Sequence, residues 1–67
     1  MPSKRLGRVI QQLREAQGMT QRDLAGKAGV TQAYVAQLEG GTKKNPSLEI
    51  LKRIAKALGV PVTELLK

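Results

Sequence analysis

The sequence contains no cysteine and no histidine, which excludes disulfides, thiolate chemistry and the usual zinc ligands. Tryptophan and phenylalanine are also missing, and Tyr34 is the only aromatic residue. Acidic residues are few. Five scattered carboxylates do not make an acid and base pair, no nucleophile with a partner base is present, and no glycine loop has the spacing that cradles phosphate. An enzyme is the function class that the sequence supports least. No apolar run approaches the roughly 20 residues of a membrane span. The basic start, MPSKR, leads into an amphipathic pattern and not into the apolar core of a signal peptide. The expected setting is soluble and cytoplasmic.

What is abundant is positive charge. Twelve Lys and Arg stand against five acids, for a formal net charge of +7 and an isoelectric point near 10.4. That balance is the electrostatic footprint of a nucleic-acid binder, although a solubilising surface or a ribosome-associated protein would show it too. At 67 residues the chain makes one domain, residues 1–67. A chain of this size buries only about 60% of its unfolded surface, so it needs a compact, mostly helical form. It has no room for an active-site cleft.

The pattern along the chain predicts five short helices. Leu6, Val9, Ile10 and Leu13 recur at i, i+3, i+4 and i+7 and mark a buried stripe on a first helix, from about Ser3 as its N-cap to Gln17 before Gly18. Arg14 sits at the edge of that stripe, where its stem can pack and its guanidinium can reach another helix. Thr20 and Asp23 form a capping box for a second helix, about 20–28, with Leu24, Ala25 and Ala28 inside. After Gly29 and Val30, Thr31 is the natural N-cap of a third helix, about 31–39. Two short helices joined by a glycine-containing turn of this length form a helix-turn-helix. The breaker-rich run Gly40-Gly41-Thr42-Lys43-Lys44-Asn45-Pro46 is a loop, and Ser47 caps a fourth helix with Leu48, Leu51, Ile54, Ala55 and Leu58 on its inner face. Gly59 closes it. Val60 to Leu66 reads as a short fifth helix or turn.

The third helix, TQAYVAQLEGG from Thr31 to Gly41, carries the most information. On a helical wheel Val35 and Leu38 share one side, and Ala33, Ala36 and Gln37 share the other, flanked by Gln32 and Tyr34. An exposed helix face normally fills with Lys and Glu, yet this one carries no charge in a strongly basic chain. Base edges in the DNA major groove suit it: glutamine bonds bidentately to adenine, alanine methyls touch the thymine methyl, and small residues admit a close approach. Taken alone, an ordinary amphipathic helix would show the same alternation.

With these elements placed, the sequence resembles the Cro/C1-type helix-turn-helix family of phage repressors and bacterial regulators. The likeness runs from Leu6 to Leu66 through Leu13-Arg14, Gly18, Thr20-Gln21, Leu24-Ala25, Gly29-Val30-Thr31-Gln32, Leu38-Glu39, Asn45-Pro46-Ser47 and Ala57-Leu58-Gly59-Val60. It implies an all-α, lambda-repressor-like bundle of five short helices that binds double-stranded DNA with no cofactor and no metal.

The resemblance also implies roles. Gln32, Ala33 and Gln37 match positions that read bases, with Tyr34 at the edge of that face as a base, sugar or phosphate contact or as a packing ring. Gln21, at the start of the second helix, would lie against the phosphate backbone, and Thr31, the loop residues Lys43, Lys44 and Asn45, and the start of the fourth helix at Ser47 are further phosphate candidates, since helix N-termini favour anions. Arg14 and Glu39 match an ion pair linking the first helix to the end of the third. The implied activity is transcriptional regulation, chiefly repression, by a homodimer on a palindromic operator. Ile50, Ala57, Leu65 and Leu66, with Val62, could supply the dimer surface, or the fifth element could close that patch internally. The rival readings are an antitoxin or other protein-interaction module of the same fold, contacting a toxin or RNA polymerase, and a cationic membrane binder. The glycine and proline punctuation argues against the membrane reading.

Overall fold

A computed structural model describes residues 2–42 and 46–66 of the chain. It shows α1 (Pro2–Ala16), α2 (Gln21–Ala28), α3 (Gln32–Glu39) and α4 (Leu48–Leu58), followed by a single 3-10 turn, Val62–Glu64, and no strand among the described residues. The all-α class therefore holds, but four helices and a turn replace the expected five helices. Pro61 leads into that last turn, and three residues are too few for an α-helical ladder.

α2 packs on both α3 and α4, α1 packs on α3, and the 3-10 turn folds back on α4. Ile10, Leu24, Val35, Leu38, Ile54 and Leu58 are the largest fully buried side chains, with Met19, Ala25, Ala28, Leu51, Ala55 and Leu65 completing the core. The fifth element thus closes the core from the inside. Leu65 is 2% exposed and belongs to the monomer interior, which corrects its assignment to a dimer surface.

Two further expectations are corrected. Leu48 is 55% exposed: it opens α4 immediately after the Ser47 cap, and within that first turn it is Leu51 that is buried. α1 begins at Pro2, so Ser3 lies inside its first turn and not ahead of it. The buried line of α1 is centred on Gly7, Ile10 and Arg14, with Leu6, Val9 and Leu13 half-buried beside it.

Gly7 is where α1 meets α3 most closely. A Cβ there would lie 2.2 Å from the Leu38 carbonyl oxygen and 2.8 Å from that of Glu39. Both are backbone atoms of the far helix, so no side chain can swing away to make room. Only glycine lets the two backbones approach in this way.

Candidate nucleic-acid interface

The site is assembled from capped helix starts. Thr20 Oγ1 accepts the Asp23 N–H at 3.0 Å, and the Asp23 carboxylate accepts the Thr20 N–H at 2.9 Å, which completes the expected capping box. The Thr20 N–H on the Asp23 carboxylate, and after it the Thr20 hydroxyl beside it, hold that carboxyl below the usual aspartate range, helped by Lys27 and Arg22. α2 ends at Gly29, whose φ of 72° is the left-handed conformation that returns the Val30 N–H to the Ala25 carbonyl at 3.0 Å. The chain then needs only Gly29, Val30 and Thr31 to start α3, and Thr31 Oγ1 caps it by accepting the Tyr34 N–H at 3.0 Å. Val30, between the two helices, packs against the core.

α3 presents the face expected of it. Val35 and Leu38 are buried, while Gln32, Ala33, Ala36 and Gln37 are all exposed and form one uncharged surface. Tyr34 is half-buried and packs its ring against the core, so it borders this surface as much as it belongs to it. The exposed Thr31 and Ser47 each use their hydroxyl oxygen as a helix cap, the latter accepting the Ile50 N–H at 3.2 Å. Both hydroxyls keep a proton to donate. Lys43, Lys44 and Asn45 lie outside the described residues.

The end of α3 is tied down by a buried ionic cluster. Arg14 Nε donates to Glu39 Oε2 at 2.6 Å and Arg14 Nη2 donates to Glu39 Oε1 at 3.0 Å, a two-pronged pairing. A third donor, Arg14 Nη1, reaches the Met19 carbonyl at 2.7 Å. The side chains of Arg14 and Glu39 are only 10% and 4% exposed. The hydrogen bond to Glu39 raises the Arg14 pKa above its ordinary value despite the opposing effect of burial. The expected pair is therefore present, and it is an interior one.

Gln21 has a part that its position in the sequence did not suggest. Its Nε2 donates to Glu39 Oε1 at 3.0 Å, so the side chain joins the start of α2 to the end of α3. What it leaves for a phosphate is the backbone N–H group of the first turn. Gly7 was also missed as a site determinant, although a glycine inside an otherwise regular helix pattern signals a packing reason. Through Gly7, Arg14 and Gln21, α1 and α2 set the pose of the exposed α3 face.

Among the described residues, no group of His, Cys, Asp and Glu could hold a metal, and no helix is long and apolar enough to cross a membrane. Of the expected dimer residues, Leu66 is 57% exposed, and Ile50 and Ala57 are half-buried.

A family model described as helix-turn-helix matches residues 10–65. The chain is 37% identical over 60 residues to the HTH-type transcriptional regulator SlrR of Bacillus subtilis, covering 90% of this chain and 40% of SlrR. It is 36% identical over 61 residues to the HTH-type transcriptional regulator SinR of the same organism, covering 91% of this chain and 55% of SinR. The chain thus spans about half the length of these curated relatives or less. Among solved structures, SinR, described as the master regulator for biofilm formation and solved in complex with DNA, superposes with a TM-score of 0.89 at 35% identity, covering 92% of this chain and 98% of that one. The restriction-modification controller protein C.AhdI of Aeromonas hydrophila also gives 0.89, at 34% identity and 92% coverage of both chains. The chain belongs to the XRE-like helix-turn-helix family.

Proposed function

We propose that this chain is a sequence-specific, double-stranded-DNA-binding regulator of transcription that acts as a repressor on a palindromic operator. The observation that carries the reading is the exposed, uncharged face of α3 in a chain of net charge +7, held at its far end by a buried ionic cluster. The DNA complex of SinR, a relative with the same fold, supports it.

In this reading the mechanism is binding without chemistry. α3 enters the major groove, which is about 12 Å wide and admits one helix. Gln32 and Gln37 bond to base edges, and Ala33 offers a methyl contact. The first turn of α2, at Gln21, and the capped starts at Thr31 and Ser47 lie along the phosphates, with Lys43, Lys44 and Asn45 completing that contact. Two copies related by a twofold axis read half-sites about one helical turn apart. With Leu65 in the core, the dimer surface is expected around exposed Leu66, with Ile50. Leu66→Glu should then leave the fold intact and abolish cooperative binding.

The test is selection of bound sequences from a random duplex pool, repeated with a Gln32→Ala, Gln37→Ala double variant and at two salt concentrations. An inverted repeat whose preference relaxes in the variant is expected. Three or four phosphates neutralised per copy should give a log K against log salt slope of roughly −5 to −7 for the dimer. Failure to enrich any motif would overturn the reading.

A further inference from the structure

Behind the interface, a groove of about 660 Å³ opens between the last turn of α2 and the outer side of α4. Gly26, Gly29 and Ala57 give it a floor without bulk, and Lys27, Arg53 and Lys56 stand around it. Arg53 is partly engaged, donating to exposed Glu49 one turn back at 2.9 Å. Lys27 has Asp23 one turn back, a carboxylate already bound into the α2 cap.

Gly26 is the informative residue. It sits inside an eight-residue helix, where glycine is about 0.5–1 kcal/mol less favourable than alanine. A Cβ built on it meets nothing within 4 Å, and its backbone is ordinary helix. Nothing inside the molecule therefore requires glycine there. What its absent side chain leaves open is the floor of a cation-lined groove.

We propose that this groove docks an acidic peptide segment of a partner protein, with carboxylates on Lys27, Arg53 and Lys56 and the peptide backbone laid over Gly26. In the DNA pose proposed above, the operator lies on the helix starts and not on this groove. At about 1.5 Å per residue, the groove lies roughly 10 Å along α2 from Gln21 and a similar distance along α4 from Ser47, behind both helix starts. A second copy carries the same excess of positive charge and is disfavoured. A nucleic-acid strand offers only acceptors along its phosphates, and the helix-end carbonyls of α2 beyond the capped Ala25 are acceptors too. A peptide brings N–H groups for those carbonyls together with carboxylates for the cations. The two helix-start faces are left free, so docking and DNA binding are compatible.

The test uses the whole chain, labelled with nitrogen-15, and a fluorescein-labelled decapeptide of alternating glutamate and serine. Its glutamine counterpart and a thymidine oligonucleotide serve as comparisons. The acidic peptide is expected to shift amide signals at residues 26–29 and 53–57, and the glutamine peptide should not. Lys27→Gln with Lys56→Gln should weaken peptide binding roughly tenfold, the loss of two exposed charge contacts. Gly26→Leu, with an exposed side chain that suits a helix, should weaken it comparably and leave binding of the selected duplex unchanged. Shifts confined to α3 and the start of α2, displacement of the peptide from the groove by the oligonucleotide, a sedimenting dimer joined through the groove, or full binding by Gly26→Leu would each overturn the proposal.

Discussion

Two glycines in helix interiors belong to two seams that differ in kind. Between α1 and α3, Gly7 is buried, and a Cβ would strike backbone oxygen at 2.2 Å. Between α2 and α4, Gly26 is exposed, and a Cβ would meet nothing. The first seam is filled and locked, with the Arg14 and Glu39 pair beside it. The second has buried core residues on both of its helices and stays open at its rim. The residue type alone does not tell a compulsion from a vacancy; what a Cβ would touch does. The locked seam carries the exposed α3 face, and the open one lies behind it.

The strongest way to break this contrast is to unpair the locked seam. Glu39→Gln leaves Arg14 charged and buried, and removing one partner of such a pair costs about 3–5 kcal/mol. A domain of this length has a total stability of roughly 3–10 kcal/mol, so urea denaturation should show a largely unfolded or severely weakened variant. A loss below about 1 kcal/mol would place the pair among ordinary surface contacts. Alkali should not reproduce the effect. The folded-state pKa of Arg14 is raised, so its contribution is present below the ordinary guanidinium value and is lost only as pH rises through a still higher one.

Gly7→Ala comes next. Alanine is the better helix former by about 1 kcal/mol, yet overpacking against two backbone carbonyls should make the variant about 1–3 kcal/mol less stable. It should also blur base preference, because α3 must shift to make room. A variant as stable as the parent would dissolve the distinction between the seams. Gly26→Ala sharpens it from the other side, with an expected gain of about 0.5–1 kcal/mol by the same denaturation measurement. A loss there would mean that the open seam needs its glycine internally.

The smallest effect concerns the cap at the start of α2. The pKa of Asp23 is depressed, so its contribution is present above the unfolded value and disappears as pH falls through the folded one. Stability measured from neutral pH down through the carboxylate range should fall with a slope that Asp23→Asn removes at its acidic end.

Much of this arrangement was legible in the chain because caps and periodicity are local. Thr20 with Asp23, Thr31, Ser47 and the glycines at 18, 29 and 59 mark helix ends within a few residues of themselves, and they fall where the helices stop and start. The uncharged face of α3 was legible for the same reason. Leu48 was misplaced because periodicity says which residues share a side and not whether any element covers that side. Arg14 was placed at an edge because a charge is assumed to want water until a partner is known, and that partner lies 25 residues away. The bond from Gln21 to Glu39 and the close approach at Gly7 are likewise products of tertiary contact. Leu65 could have faced inward or outward until the chain was seen to fold back on α4.

Tyr34 gives the molecule an optical property. With no tryptophan and no phenylalanine, all of its near-ultraviolet absorption and intrinsic emission come from one ring. That ring stands on α3, half in the core and at the border of the exposed face. Unlabelled protein therefore carries a single-site reporter on the helix of interest, sensitive on one side to loosening of the interior and on the other to whatever is laid against the surface.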